Sequence, residues 1–180
     1  MKRALFLDRD GTLVEPRHYP SCPEDLVLSP EIGPLLRMFQ TSGWELVVVT
    51  NQSGIARGLL SEEDYARVQA RMVELLATDG ARVDASYMCP HHPDFGSPCE
   101  CRKPGTLLFR RAAVEHDLDL RQSVFIGDRW RDVAPAKAFG GRGVLVDGDA
   151  TPADDRRQAT DESMDVVGSL EEAAKLVTGG

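Results

Sequence analysis

Short apolar runs alternate with longer amphipathic stretches along most of the chain. The runs have the length of β-strands, whereas the stretches between them repeat their apolar residues at helical intervals. This alternation is typical of a parallel sheet that is covered by helices on both faces. We therefore expect a single α/β domain over residues 1–180, with a three-layer, Rossmann-like arrangement.

The same pattern predicts where the elements lie. The expected strands are residues 4–7, 45–49, 83–88, 123–126, 143–146 and 165–167. The first helix is expected to start at Ser29 and Pro30 and to bury Leu35, Leu36, Met38 and Phe39. Further helices are expected from Ser61 to Gly80, over 106–116, over 131–139, and at the C-terminus. Residues 149–163 are polar and poor in large apolar side chains, which predicts a flexible surface loop.

Charge and hydropathy narrow the classes of function. The formal net charge is -8 at pH 7, which argues against a nucleic-acid binder because such proteins present basic faces to phosphates. No apolar stretch approaches the roughly 20 residues of a membrane span. The basic start at Lys2 and Arg3 precedes an apolar run that Asp8 ends too early for a signal peptide. We expect a cytoplasmic monomer that acts on a small molecule.

Polar residues directly follow three of the predicted strands. Asp8 and Asp10 follow the first strand, Thr50 and Asn51 follow the second, and Asp128 follows the fourth. The carboxyl ends of parallel strands meet at one edge of a sheet, so we expect these side chains to converge. Converging carboxylates repel one another unless a cation lies among them, and hard oxygen ligands favour Mg²⁺.

These residue types suit phosphate transfer to a carboxylate. Asp8 is placed to attack phosphorus and form an acyl phosphate, which splits one difficult hydrolysis into two easier steps. Asp10 can protonate the leaving oxygen and later take a proton from water. Gly11 allows the backbone to turn closely around the phosphate, and Thr50 can hydrogen-bond its oxygens. Lys103 can supply positive charge to the transition state.

A loop rich in cysteine, histidine and proline follows the third predicted strand. Four of its residues can surround zinc in a closed, structural site: Cys89, His91, Cys99 and Cys101. Such a site would order the loop over residues 89–101 and aim the residues that follow it. His92 is an alternative ligand to His91. Unligated thiols or a disulfide are the competing interpretation.

Four segments together resemble a known superfamily. They are LFLDRDGTL, VVVTN, RKPG and FIGDRWRD. Two aspartates that are two residues apart are common in a chain with 29 acidic residues, so one segment alone is weak evidence. All four occur in the order and approximate spacing of the signature motifs of the haloacid dehalogenase superfamily. The resemblance implies a phosphatase.

The resemblance also implies roles for individual residues. It agrees with the roles given above to Asp8, Asp10, Thr50 and Lys103. It further implies that Mg²⁺ is held by Asp8, Asp10 and Asp128, with Asp10 contributing its backbone carbonyl. Asp132 is then expected to support this metal site by contacting the ligands and not the metal ion itself.

The cysteine-rich loop narrows the resemblance further. Together with the segment TNQSGIARG, it looks like the subgroup of heptose bisphosphate and histidinol-phosphate phosphatases. In that subgroup Arg57 and Arg102 are expected to hold the distal part of the substrate, including a second phosphate. Asn51 and Arg129 complete the expected substrate-binding set.

The leading function is therefore removal of the 7-phosphate from D-glycero-D-manno-heptose 1,7-bisphosphate. Hydrolysis of histidinol phosphate or of another small sugar phosphate is the nearest alternative. A phosphoaccepting receiver or a silent binding module represents a different class. No interval between the motifs is long enough for a large cap domain, so the site should be open and roofed only by residues 15–28 and the loop 89–101. His18 and Tyr19 lie in this first segment.

Overall fold

The computed structural model describes residues 1–16 and 21–179. Its strands form one parallel sheet in the order β3-β2-β1-β4-β5-β6. The strands are β1 (Ala4–Leu7), β2 (Glu45–Asn51), β3 (Ala85–Cys89), β4 (Val124–Gly127), β5 (Arg142–Val146) and β6 (Asp165–Val167). The prediction of a parallel α/β sheet is confirmed. His18 and Tyr19 lie outside the described residues.

Helices occupy the connections between the strands. They are α1 (Ile32–Thr41), α2 (Ser53–Ala56), α3 (Glu62–Thr78), α4 (Leu107–His116), α5 (Trp130–Val133), α6 (Pro135–Phe139), α7 (Ala153–Asp161) and α8 (Leu170–Thr178). Short 3₁₀ turns lie at Pro23–Asp25 and Pro93–Phe95. None of the helices in the described ranges combines the length and the apolar character that crossing a lipid bilayer requires.

The alternation of side chains along β1 explains the three layers. Leu5 and Leu7 pack in a core with residues of α1, α3 and α8. Phe6 points to the opposite face, where its ring centroid lies 4.9 Å from that of Phe125 and 5.3 Å from that of Phe109 in α4. Successive residues of a strand face opposite sides of the sheet, so a strand with apolar residues at every position must be covered twice.

The order of the strands places the functional site. β1 lies between β2 and β4. The chain builds outward from β1 to β3, and then returns to the other side of β1 to form β4. Ligands of open α/β sheets bind beyond the carboxyl ends of the strands at such a reversal. The ends of β1, β2 and β4 are therefore the place to look for the site.

The first helix differs from its prediction. It begins at Ile32 rather than at Ser29, because Glu31 precedes it in a left-handed conformation with φ of 57°. Leu36 and Phe39 are buried as expected, but Met38 is 40% exposed. Met38 lies at the border between the apolar and the polar face of the helix. At that border, helical periodicity does not decide whether a side chain is buried. The expectation that Met38 is buried is wrong.

Two segments near the C-terminus also differ. The helix expected over residues 131–139 is divided into α5 and α6, and Pro135 at the start of α6 lacks the N–H that a continuous helix would use. The prediction of a flexible loop over residues 149–163 is wrong, because α7 lies within this segment. Ala159 is the buried residue of α7 and packs with Leu145 and Val133. A single alanine leaves no visible apolar period in the sequence.

Candidate active site

Lys103 and the strand-end carboxylates form the centre of the site. Nζ of Lys103 donates to Oδ1 of Asp8 at 2.6 Å and to the carbonyl of Val49 at 2.6 Å. The same Nζ lies 2.7 Å from Oδ1 of Asp132. Burial by itself lowers the pKa of Lys103, but the charges of Asp132 and Asp8 outweigh it, so the pKa is raised. Lys103 therefore remains a cation although its side chain is only 2% exposed.

Three carboxylates meet at this edge of the sheet. Asp8, Asp128 and Asp132 each offer an oxygen that lies within 4.8 Å of the others. Burial, followed by the charges of Asp132 and Asp8, raises the pKa of Asp128 to about 7. Burial disfavours the ionised carboxylate, and the two neighbouring anions disfavour it further.

A hard divalent cation fits this donor set. Oδ1 of Asp128 is buried and has no hydrogen-bond partner among the residues that the structure describes. Gly11 passes so close that an added Cβ would lie 2.6 Å from Oδ2 of Asp128, and its φ of +89° also favours glycine. A buried carboxylate oxygen without a partner is costly. Carboxylate oxygens at this spacing are ligands that magnesium accepts.

The side chain of Asp10 turns away from this group. Its carboxylate accepts hydrogen bonds from Nε and Nη2 of Arg9, at 3.0 to 3.2 Å. It also accepts a 2.7 Å hydrogen bond from Nε2 of Gln52. The side chains that converge are therefore those of Asp8, Asp128 and Asp132, and the expected binding of magnesium by Asp8, Asp128 and the backbone carbonyl of Asp10 stays a prediction.

Arg9 and Gln52 were missed by the sequence analysis. Arg9 is 1% exposed, and its guanidinium lies over the ring of Tyr65 at 5.2 Å. Gln52 links Asp10 to Thr50, because its Nε2 also lies 2.9 Å from Oγ1 of Thr50. The available signal was weak: an arginine between two aspartates and a glutamine after a strand are ordinary polar residues until their burial is known.

Asn51 and Thr50 lie at the end of β2, as the sequence indicated. The amide of Asn51 forms two hydrogen bonds with the backbone of Lys103: Oδ1 accepts from its N–H at 3.0 Å, and Nδ2 donates to its carbonyl at 3.1 Å. Thr50 is 1% exposed. Asn51 therefore holds the backbone of Lys103 in place.

The cysteine-rich loop brings its four expected ligands together. Cys89, His91, Cys99 and Cys101 each offer an atom within 4.8 Å of the others. Sγ of Cys101 lies 3.0 Å from Sγ of Cys89 and 3.2 Å from Nδ1 of His91, and the thiols are free. Tetrahedral zinc with bonds of about 2.3 Å separates its ligand atoms by about 3.7 Å. Sγ of Cys89 lies 3.7 Å from Nδ1 of His91 and 3.8 Å from Sγ of Cys99, which matches this value, whereas the two contacts of Cys101 are shorter.

The electrostatics of the thiols are compatible with metal binding. Burial opposes ionisation of Cys99, but the N–H of Arg102 and the neighbouring cluster groups outweigh burial and lower the pKa of Cys99 to about 7. Burial raises the pKa of Cys89. A metal ion binds the deprotonated thiol. Its positive charge would stabilise the thiolates, which burial in the protein disfavours. His92 belongs to no part of this cluster, which favours His91 as the ligand.

The expected substrate-binding arginines contact two different parts of the molecule. Nη1 of Arg102 donates to the carbonyl of His91 at 3.0 Å. Nη2 of Arg57 lies 2.7 Å from Nε2 of His92. Arg129 instead forms an ion pair with Asp128, with 3.4 Å between Nε and Oδ2. Arg57 and Arg102 are therefore tied to the cysteine-rich loop, whereas Arg129 is tied to the acidic cluster.

Comparison with known proteins identifies the family. A family model described as HAD-hydrolase-like, where HAD stands for haloacid dehalogenase, matches residues 100–173. The D-glycero-beta-D-manno-heptose-1,7-bisphosphate 7-phosphatase of Mesorhizobium japonicum is 40% identical over 153 residues, which cover 82% of this chain and 70% of that protein. The D-glycero-alpha-D-manno-heptose-1,7-bisphosphate 7-phosphatase of Campylobacter jejuni is 38% identical over 157 residues, which cover 87% of this chain and 89% of that protein.

Solved structures agree with the sequence relatives. The crystal structure of D,D-heptose 1,7-bisphosphate phosphatase from B. bronchiseptica, complexed with magnesium and phosphate, matches with a TM-score of 0.83 and 30% identity. The match covers 98% of each chain. The resemblance inferred from the four motifs is thus confirmed. The chain belongs to the haloacid dehalogenase superfamily, within the family of phosphatases that includes the heptose 1,7-bisphosphate 7-phosphatases.

Proposed function

We propose that this phosphatase removes the 7-phosphate of D-glycero-D-manno-heptose 1,7-bisphosphate, with Asp8 as its nucleophile. The observation that carries the proposal is the contact between Asp8 and Lys103, at 2.6 Å, beside two further carboxylates at the end of β4 and the start of α5. Support for the substrate comes from the names of the relatives and from the arginines near the site.

In the first step, an oxygen of Asp8 attacks the phosphorus of the 7-phosphate. A bond forms between this oxygen and phosphorus, and the bond from phosphorus to the sugar oxygen breaks. Asp10 gives a proton to the leaving oxygen, which requires its carboxyl group to turn from Arg9 and Gln52 toward the substrate. Lys103 stabilises the charge on the phosphoryl oxygens.

In the second step, Asp10 takes a proton from water as the water oxygen attacks phosphorus. The bond between phosphorus and Asp8 breaks, and inorganic phosphate leaves. Asp8, Asp128 and Asp132 would hold magnesium, which supplies positive charge that offsets the repulsion between these carboxylates and the phosphate. Thr50, whose hydroxyl lies 2.9 Å from Nε2 of Gln52, would hydrogen-bond a phosphate oxygen.

A second phosphate is the feature that the arginines would recognise. A cavity of about 320 Å³ adjoins Lys103 and is lined by residues of the cysteine-rich loop and by Arg102. Burial lowers the pKa of Arg102, and the charges of Arg131 and Arg57 lower it further. The second of these effects arises because like charges lie close together. A phosphate placed among Arg57, Arg102 and Arg131 would relieve their repulsion.

This arrangement favours the bisphosphate over histidinol phosphate. A substrate with a cationic amine would call for carboxylates around its distal end. Of the nine described residues that line the cavity, none is Asp or Glu.

We further propose that zinc is the metal of the thiol cluster, because three thiolates and one imidazole are soft and borderline ligands that zinc prefers. Cytoplasmic location and a monomeric state stay predictions.

A substrate panel tests the proposal. Phosphate release would be measured with magnesium for both anomers of the heptose bisphosphate, because the two named relatives differ in anomer. Heptose 7-phosphate and histidinol phosphate complete the panel. We expect the highest kcat/KM for one of the bisphosphate anomers. A highest value for histidinol phosphate would contradict the proposed substrate, and stoichiometric phosphate retained on Asp8 would instead support a receiver.

A further inference from the structure

His92 is next to a ligand of the thiol cluster, yet its ring takes part in a different contact. Its side chain is only 13% exposed, and Nε2 lies 2.7 Å from Nη2 of Arg57. An arginine can only donate hydrogen bonds, so Nε2 must accept and the ring must carry its proton on Nδ1. The N–H of Asp94 also approaches Nδ1, at 3.2 Å. A neutral ring cannot accept at both nitrogens, and the shorter contact identifies Nε2 as the acceptor.

Phe95 restrains the same guanidinium from another side. Cζ of Arg57 lies 5.3 Å from the centre of the Phe95 ring. The ring of Phe95 in turn packs edge-on against His92, with 5.4 Å between the centroids. Phe95 is 54% exposed, so burial in a core does not explain the presence of an aromatic residue here. An acceptor at one end and a ring face on the other fix both the position and the plane of a guanidinium.

We propose that His92 and Phe95 are positioning residues that prepare Arg57 for the second phosphate of the substrate. This inference rests on the proposed function, in which Arg57 binds that phosphate. Neither His92 nor Phe95 is an acidic residue, so they contact the guanidinium without cancelling its charge. One of its five N–H groups faces His92, and the others form no side-chain hydrogen bond within residues 1–16 and 21–179, which leaves them for a phosphate. An arginine that is held in advance loses less conformational freedom when the ligand arrives.

The order of the chain explains why these two residues are suited to this task. His92 follows His91, a member of the thiol cluster, and Phe95 ends the 3₁₀ turn at Pro93–Phe95. Arg102, the other arginine expected to bind the second phosphate, donates to the carbonyl of His91. The cysteine-rich loop thus holds both arginines at once. It acts as the element that determines specificity, in addition to any effect of its metal on stability.

The experiment compares two substrates that differ only in the second phosphate. kcat and KM would be measured for heptose 1,7-bisphosphate and for heptose 7-phosphate, with wild type, His92→Ala and His92→Gln. We expect His92→Ala to raise KM for the bisphosphate roughly tenfold, with kcat within about twofold and KM for the monophosphate unchanged. His92→Gln should restore most of the affinity, because its amide oxygen can accept at the position of Nε2.

Two further variants sharpen the comparison. Phe95→Leu should give a smaller rise in KM for the bisphosphate, because a hydrogen bond to Arg57 remains. His116→Ala is the matched control: His116 is the last residue of α4, and the following residues pair with Lys2 at the opposite edge of the sheet. It should change neither KM. Metal analysis of every variant should give the wild-type zinc content.

The outcomes separate this inference from the proposed function. A wild-type enzyme that does not prefer the bisphosphate would contradict the proposed function. A wild type that prefers the bisphosphate, together with a His92→Ala variant that keeps the whole preference, would overturn only the positioning role. Equal rises in KM for both substrates, or a loss of zinc in His92→Ala, would also overturn it, because either result would show a general structural effect.

Discussion

The two ligand clusters of this protein are held in place by different means. Asp8 and Asp128 follow neighbouring strands, so the hydrogen bonds of the sheet bring them together before any ligand binds. The thiol cluster lies on a loop whose only described regular element between β3 and α4 is the turn at Pro93–Phe95. Its position depends on contacts that the loop must make with itself or with a metal.

This difference assigns opposite energetic roles to the two clusters. Three carboxylates forced together by the fold reduce stability, as the raised pKa of Asp128 indicates. The function of these carboxylates, binding a cation, therefore explains their presence, and stability does not. The thiol cluster joins Cys89, at the end of β3, to Cys101, which precedes Lys103. A metal ion bound there would stabilise the loop and would fix the position of Lys103 relative to Asp8.

The largest expected effect is on catalysis. Asp8→Asn should lower kcat by about 10⁴-fold or more, because an amide cannot act as the nucleophile. The fold should persist, since Oδ1 of the asparagine can still accept from Lys103. Phosphate release measures the loss, and Asp154→Asn, at an exposed carboxylate of α7, is the control. Substantial turnover by Asp8→Asn would show that the nucleophile is a different group.

The next effect is on stability. Cys101→Ser should release the metal from the thiol cluster and lower the free energy of unfolding by about 4 kcal/mol. Cys101 is buried and contacts both Cys89 and His91. Cys22→Ser is the matched control, because Cys22 is exposed and lies outside the cluster. Urea unfolding and zinc analysis check both variants. Equal stability of the two would mean that the loop does not depend on a metal.

The same contrast explains what the sequence could predict. Asp8 and Asp128 converge as expected because the ends of parallel strands meet in any such sheet. Lys103 follows no strand, and its contact with Asp8 agrees with the role that the four motifs implied for it. The four members of the thiol cluster were recognised by residue type and spacing. Spacing alone does not separate His91 from His92, since adjacent loop residues point in directions that only the folded backbone decides.

Other features depended on burial that no local pattern reveals. The contact of Gln52 with Asp10 and the packing of Arg9 against Tyr65 form only after β1, β2 and α3 are assembled. α7 was missed because it buries one alanine and is otherwise polar. Met38 sits at the edge of an amphipathic stripe. In each case tertiary packing decided the outcome, and propensity or periodicity was only a weak guide.

A pH-dependent difference is expected for Asp128 when metal is removed. The pKa of Asp128 is raised from 3.8 to about 7 in the folded protein. The stability that comes from holding this proton is complete below about pH 4 and is lost as pH rises through about 7. Asparagine imitates the protonated form at every pH. In EDTA, Asp128→Asn should therefore match wild type near pH 4 and exceed its unfolding free energy at pH 8 by on the order of 2–4 kcal/mol.

Magnesium should reverse this order at pH 8, because a divalent cation binds the ionised carboxylate and stabilises wild type. Urea titrations with EDTA and with magnesium measure both effects. Asp154→Asn controls for the loss of one exposed charge. If the difference between Asp128→Asn and wild type stayed constant across pH, Asp128 would not be the residue that takes up the proton.

The smallest expected effect concerns the segment whose structure was predicted wrongly. The hydroxyl of Thr151 donates to the carbonyl of Asp128 at 3.1 Å and accepts from the N–H of Gly148 at 3.1 Å. Thr151 is 7% exposed. Thr151→Val keeps the shape but leaves these groups unpaired, so we expect a loss of about 1–2 kcal/mol in unfolding free energy.

Thr160→Val is the matched control, since Thr160 lies in α7 but is exposed, and it should change stability by less than about 0.5 kcal/mol. The contact of Thr151 is with the backbone of Asp128, not with its carboxylate, so kcat should stay within about twofold of wild type. Equal losses in both variants would mean that the contacts of the Thr151 hydroxyl add nothing to the general effect of a threonine-to-valine change. A loss confined to Thr151→Val would show that the strand end that carries Asp128 also anchors this helix, and that the acidic cluster depends on the fold on both of its sides.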